Sequence, residues 1–384
     1  MFSFFQPTKR YRDERFWRRR ARKLFPEVKG AYLRRAELSL PAYFPGHETA
    51  YRRSVAGDPQ EMAQHIEQTR KSLADLLHVQ PYTIYFTENT TQAMELALRH
   101  LVAQGYLKPD DEILTTTEEY GSITAALERV AHVGYVTPDE LSHAILPETK
   151  VIAVSSVTHA TCRVLPIEDI VRAGNEQGII TIVDAAQAVG QMPVDVQKLG
   201  ADVVIGCGHK WLSGDLVSGF LYLNDRIQGV PYAISTPWSM PSEKRNHFDK
   251  GPFSTFEEMV LDYDGFGNAH AIVHLGRALD YHAALGWEHI FQRIKYLGDA
   301  AREILAENPF VKLLIPDQRA PGMIPLRVRG RDTYHVHTLL ESDYGIHITY
   351  KKQEDILRVA TSAFNSVTEL TGLSTALAEI GGNR

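Results

Sequence analysis

The chain has 384 residues, 44% of them hydrophobic and 23% charged, the make-up of an ordinary globular protein with room for one large and one smaller domain. A formal net charge of −6 argues against nucleic acid as a partner, and no run of about 18 apolar residues offers a membrane span. Two cysteines, Cys162 and Cys207, cannot build a disulfide framework, and the N-terminus carries no secretory signal, so a reducing cytoplasm is the expected setting.

The first feature along the chain is basic. Arg10, Arg12, Arg15, Arg18, Arg19, Arg20 and Arg22 fall between Lys9 and Lys23. This segment, 1–25, reads as a solvated arm or helix. The other reading is an acidic partner or an organelle address, and Asp13 and Glu14 weigh against a transit peptide. Helical spacing follows at 61–77, where Ile66, Leu73, Leu76 and Leu77 share a side. A strand is expected at 82–86, a helix at 91–102 and a strand at 112–116. The alternation continues with a helix at 122–131, a strand at 151–155 and a helix at 167–177 opened by Pro166. Strands at 179–183, 201–205 and 219–223 complete it. Strands alternating with helices imply an α/β domain, 26–265, with a mostly parallel sheet flanked by helices. Beyond it, helices at 268–285 and 287–305, strands at 323–328, 346–350 and 356–360, and a helix at 366–380 predict a smaller C-terminal α+β domain, 266–384. The site is expected in the crevice between the two domains.

Two strand ends carry the chemistry. The apolar strand 179–183 runs into Asp184, and the next leads into Gly206-Cys207-Gly208-His209-Lys210. Ligands of such sheets bind at the carboxyl ends of the strands, where both residues would lie. An amine for an imine and an anion for a pyridinium nitrogen are what pyridoxal 5′-phosphate (PLP) requires. Asp184 would keep the ring nitrogen protonated, because an adjacent anion raises its pKa. Lys210 would hold the cofactor and then move a proton at the substrate Cα. Gln187 could donate to the phenolic oxygen, and His209 could contact the phosphate or shuttle protons. The segment Thr87-Glu88-Asn89-Thr90-Thr91 is by itself an ordinary N-cap. Beside Asp184 and Lys210 it reads better as a phosphate cradle.

The series resembles the class V aminotransferase family of PLP enzymes, fold type I, and within it the isopenicillin-N-epimerase-like and cysteine-desulfurase-like branch. The resemblance rests on the run Val183-Asp184-Ala185-Ala186-Gln187-Ala188-Val189-Gly190 and on Gly208-His209-Lys210-Trp211-Leu212. Glu119-Tyr120-Gly121 and Arg163-Val164-Leu165-Pro166 point to the epimerase-like side. Matches extend from Tyr32-Leu33 to Leu357-Arg358 and Phe364-Asn365, most of the chain. The resemblance puts Thr90 and Thr91 at the phosphate loop and Tyr120 where a ring stacks on the pyridine. It puts Arg358 where a guanidinium clamps the substrate carboxylate; a strand-edge solubilising charge is the alternative. It also implies a homodimer.

Departures shape the expectation. His159 stands where the family often has asparagine or serine, contacting the phenolic oxygen or stacking. Cys207 stands where a serine often bonds phosphate, and Gly265-Phe266 replaces a Gly-Thr pair that reaches the partner subunit's phosphate, so either Ser254 or Thr255 takes that role or the cross-subunit contact is absent. No cysteine lies between Arg319 and Arg358, which argues against a persulfide-forming desulfurase. The expected enzyme therefore acts on an amino acid or an amino-acid-bearing intermediate through an external aldimine and a quinonoid. Aminotransfer leads, followed by C–S or other β-elimination and then epimerisation. The competing hypothesis is a PLP-binding module without catalysis. The substrate side chain would be read by Ala36-Glu37-Leu38-Ser39-Leu40-Pro41 and by 231–256, with Trp238, Lys244, Arg245 and His247. No metal is expected. His270 with His274 has helical spacing and His335 with His337 could share a strand face, but neither pair has a carboxylate or cysteine in a zinc pattern. No Gly-x-Gly-x-x-Gly follows the early strands, which disfavours a dinucleotide.

Overall fold

The computed structural model describes residues 10–27, 30–45, 59–227 and 269–382. Outside them lie the boundary at 265/266, Phe266, Ser254, Thr255 and the expected pocket segment 231–256. The basic stretch folds as helix α1 (Glu14–Leu24), with the Asp13 carboxylate accepting from the Phe16 amide at 3.0 Å. It is docked and not merely solvated. Trp17 and Leu24 are buried, and Glu14 pairs with the buried Arg293 at 2.8 Å. A short strand follows, β1 (Ala31–Tyr32).

The large sheet is built from α2 (Pro59–Leu77), β2 (Ile84–Thr87), α3 (Thr90–Ala103), β3 (Glu112–Thr116), α4 (Gly121–Leu127), β4 (His132–Val136) and β5 (Thr149–Ser155). It continues through α5 (Ile167–Glu176), β6 (Ile180–Asp184), α6 (Val196–Leu199), β7 (Val203–Cys207) and β8 (Gly219–Leu223). Seven strands lie in the order β2-β8-β7-β6-β5-β3-β4. The side-chain period of two sends Val204, Phe220 and Phe86 to one face, with Leu73 of α2 and Ile170 of α5. Val203, Ile205 and Leu221 go to the other, with Met94 and Leu98 of α3 and Leu127 of α4. Both faces are apolar because both are covered by helices.

The sheet is mostly parallel, as expected, but β8 runs antiparallel to both of its neighbours. The connection 208–218 is too short for a crossover, so the chain must turn back, and that turn carries Lys210. Edge strand β4 was not foreseen. It is only partly buried and contains Gly134, so it shows no apolar run.

Helix α7 (Ala269–Leu285) packs on α2, where Thr69 Oγ1 donates to the Ile272 carbonyl at 3.2 Å. After it come α8 (Trp287–Ala306), β9 (Val311–Leu313), β10 (Met323–Val328), α9 (Thr333–Ser342), β11 (Ile346–His347), β12 (Thr349–Lys351), β13 (Ile356–Ala360) and α10 (Val367–Gly382). Strands β12-β13-β10-β9 form an antiparallel sheet with its own core, including Leu297, Leu326, Leu357 and Leu373. The strand expected over 346–350 is two strands in two sheets, since β11 pairs in parallel with β1 while β12 pairs with β13. His335 and His337 lie on helix α9 and not on a strand, because the Asp332 carboxylate caps the His335 amide at 2.7 Å and starts a helix there.

Candidate active site

Lys210 is positioned by glycines. The Gly208 amide donates to the Ser218 carbonyl, and the Gly214 amide donates to the Gly208 carbonyl at 2.9 Å, closing the turn between β7 and β8. A β-carbon at Gly208 would come within 2.7 Å of both Leu275 and Ser218 Oγ, so the backbone can approach only without a side chain. One strand away, Asp184 ends β6 in register with Ser155 of β5. Burial raises its pKa, while the charge of Lys210 and the Ala186 amide, 2.8 Å from Oδ1, pull it down.

A single cavity brings together Thr90, Thr91, Tyr120, His159, Asp184 and Gln187 with His209 and Lys210. Thr90 is the first residue of α3, whose N-cap Asn89 accepts from the Gln92 amide at 2.9 Å. Thr90 Oγ1 and His209 Nδ1 are buried without a nitrogen or oxygen partner, and both side chains reach the Cys207 thiol. Thr91 Oγ1 is 2.7 Å from Ser122 Oγ. The Tyr120 ring is half exposed and meets His159 edge-on, centroids 5.2 Å apart. Burial, reinforced by the charges of Lys351, Arg358 and Lys210, pushes His159 down to about 3, so its imidazole is neutral. Gln187 is more engaged than its sequence context implied. Its Nε2 donates to the Ala36 carbonyl at 2.7 Å and its Oε1 accepts from Trp211 Nε1 at 3.1 Å. One amide hydrogen remains for a ligand.

Two expected residues do not line this cavity. Cys207 is buried behind it; burial raises its thiol pKa, but Lys210 and His209 outweigh that and leave it below the ordinary value. Arg358 is fully buried within β13, with Nη1 donating to the His159 carbonyl and with Nε and Nη2 lacking partners. The cavity also has a residue that motif reading missed. Lys351 lines it, 6.0 Å from the Tyr120 ring, and burial together with Arg358 lowers it to about 8. Glu37, in the loop 36–41 expected to read the substrate side chain, lines it too, 3.1 Å from both Arg34 and Thr349. Behind Ser155, Glu119 accepts from the Ser155 amide and from Thr116 Oγ1 at 2.7 Å; burial pushes it up to about 7. The strand-end rule that found Asp184 applies equally to Ser155.

Among the described residues no cluster could hold a metal ion and no helix is long and apolar enough to cross a membrane. His274 Nε2 instead lies 2.7 Å from the Ala42 carbonyl.

A mostly parallel sheet with a lysine turn and a carboxylate at adjacent strand ends defines a class of PLP-dependent enzymes. The sequence profile named aminotransferase class-V matches residues 38–350, and the chain belongs to that family. Isopenicillin N epimerase of Amycolatopsis lactamdurans is 29% identical over 341 residues, 81% of this chain and 84% of that protein. A cysteine desulfurase of Yersinia pestis (strain Pestoides F) is 30% identical over 318 residues, 78% of this chain and 75% of that one. Among solved structures, a variant of C-DES with glycine covalently linked to the PLP cofactor superposes with a TM-score of 0.80 at 21% identity, covering 93% of this chain and 99% of the other. A cysteine desulfurase of Escherichia coli gives 0.75 at 20% identity, covering 93% and 96%. The fold is fold type I.

The family's cofactor is pyridoxal phosphate, and the residues present fit it. Thr90 Oγ1 and His209 Nδ1 are buried polar atoms with no protein partner but the weakly bonding Cys207 thiol, and Thr90 begins a 14-residue helix whose N-terminal amides favour a phosphate. Asp184 is a buried carboxylate with one oxygen accepting a backbone amide, suited to a ring cation.

Proposed function

We propose that this chain moves a proton at Cα of an amino acid or an amino-acid-bearing intermediate, with Lys210 as the base and aminotransfer as the outcome. The observation that carries this reading is the convergence of Lys210, Asp184, Thr90 and His209 on one cavity. Bound PLP supplies an electron sink for the charge left when a bond to Cα breaks. Thr90, Thr91 and His209 would hold its phosphate, Gln187 its phenolic oxygen, and Tyr120 its flat face. Asp184 would hold the ring nitrogen's proton. Lys210 Nζ, once free, would take the Cα proton and deliver it on the same face to the cofactor's imine carbon, the 1,3-shift that aminotransfer needs. The free Nε and Nη2 of Arg358, behind His159, are the donors this reading assigns to the substrate carboxylate.

A second reading, epimerisation, draws on Lys351. An amine lowered to about 8 beside Tyr120 is a second group able to exchange protons at neutral pH. Two relatives carry the name isopenicillin N epimerase. Sulfur transfer through a protein persulfide is disfavoured, since both cysteines of the chain are buried. A homodimer in the cytoplasm completes the reading.

The test has two parts. Borohydride reduction of the holoenzyme and peptide mapping should find the cofactor on the Lys210 peptide, and Lys210→Ala should lose it while remaining folded. A panel of amino acids should then show Cα hydrogen–deuterium exchange that depends on Lys210. Release of an α-keto acid upon amino transfer supports aminotransfer, and inversion without a keto acid supports epimerisation. Exchange that persists in Lys210→Ala, or a cofactor attached elsewhere, sinks the assignment.

A further inference from the structure

The basic helix α1 forms one wall of a second cavity, apart from the cofactor site. A space of about 470 Å³ lies between α1, the segment 30–40 and the start of α10. Arg18 and Arg22 of α1 line it, both on exposed positions, and Arg35 lines it from the opposite side. Phe25, Phe364 and Leu40 supply apolar surface. Arg35 is 4% exposed. Its Nη1 donates to Ser39 Oγ and to the Leu40 carbonyl at 3.2 Å, and its guanidinium lies 4.3 Å from the Phe25 ring centroid. Its Nε has no hydrogen-bond partner.

Burying a guanidinium with an open donor is costly, and the cost is removed when an anion completes its fork. The carboxylate in the described lining, Glu369, feels the charge of Arg35 but spends its hydrogen bonds elsewhere. It accepts from the Ser366 amide at 2.6 Å, from Ser366 Oγ at 2.9 Å and from Asn365 Nδ2 at 3.3 Å, capping α10. Arg18 Nη2 donates to Thr368 Oγ1 at 3.2 Å, in the first turn of that same 16-residue helix. Three guanidinium groups and a helix N-terminus therefore face one carboxylate that is already bonded.

We propose that this cavity binds a small anion, a carboxylate or phosphate carried on an apolar or aromatic body. The arginines take the charged head, and Phe25, Phe364 and Leu40 take the body. Arg35 is followed by Ala36 and Glu37, which line the cofactor cavity, so the two sites share one stretch of backbone. This inference does not depend on the reaction assigned above.

The test is calorimetric titration of the PLP-loaded enzyme, whose phosphate cradle is already filled, with phenyl phosphate, benzoate and inorganic phosphate. Phenyl phosphate or benzoate should bind at one site per chain, and the stronger of the two identifies the head group. The double variant Arg18→Gln/Arg22→Gln, on an exposed helix face, should weaken that binding about tenfold or more. Arg35→Gln should abolish it, and should Arg35→Gln misfold, the surface pair still decides. Benzoate bound at the substrate site would be indifferent to the surface pair, and that outcome overturns the proposal. So does the absence of saturable binding by all three probes. Inorganic phosphate binding as tightly as phenyl phosphate would overturn the role of the apolar lining.

Discussion

The guanidinium of Arg358, in the middle strand β13, donates from Nη1 to the main-chain carbonyl of His159 in the wall of the cofactor cavity. This bond ties the C-terminal sheet to the connection that follows β5, while two of the three guanidinium nitrogens stay without partners. Replacing Arg358 by lysine keeps a charge but removes the planar fork. Charge-assisted hydrogen bonds contribute about 1.5–3 kcal/mol each, so KM for the amino substrate should rise roughly 10- to 150-fold. Cofactor affinity, followed by fluorescence titration, should hold. An unchanged KM in Arg358→Lys would remove the clamp from the mechanism.

How far the sequence reached depends on the kind of signal each residue left. Asp184 and Lys210 were legible because apolar strands end at them, and period-two burial is visible without coordinates. Thr90 was legible as a helix start. Lys351 was not, because its importance comes from β12 pairing with β13, which sets it near Arg358 and Tyr120 across the chain. Glu119 likewise gains meaning only when β3 and β5 lie side by side and Ser155 reaches it. The break between β11 and β12 escaped because both halves are equally β-prone, and pairing partners decide their sheets. The burial of Arg358 escaped for a similar reason, since a residue on a middle strand looks like one on an edge until its neighbours are known.

Lys351 gives the site a pH limb. Burial and the charge of Arg358 lower it to about 8, so folding favours the neutral amine, and its positive charge is present below that pH and lost above it. A limb in kcat/KM with an apparent pKa near 8 should disappear in Lys351→Gln. If the variant retains the same limb, the titrating group is another one.

Glu119 predicts a pH dependence of stability. Burial raises its folded pKa from 4.5 to about 7, so the folded protein holds this proton more tightly than the unfolded chain does. The contribution is fully present below the unfolded value and falls as pH rises through about 7, by at most about 3 kcal/mol. Glu119→Gln should therefore have a flatter melting temperature across that window and match or exceed wild type at about pH 8. The glutamine amide can donate to Ser155 Oγ, so the hydrogen-bond frame is kept. A variant that is destabilised equally at about pH 5 and about pH 8 would show that Glu119 folds as a carboxylate throughout.

A nucleophilic cysteine needs both ionisation and access. Cys162 has neither, being 0% exposed and pushed up to about 12 by burial, which leaves on the order of one thiolate in 10⁵ at neutral pH. Cys207 is easier to ionise, because Lys210 and His209 overcome the effect of burial, yet at 1% exposed it has no path to a substrate sulfur. A thiol reagent should therefore modify neither cysteine in the native enzyme and both after unfolding. The double variant Cys162→Ala/Cys207→Ser should retain the Cα exchange activity. Loss of activity in that variant while the cofactor stays bound, or a persulfide trapped on the native protein, would reinstate sulfur transfer as the reaction.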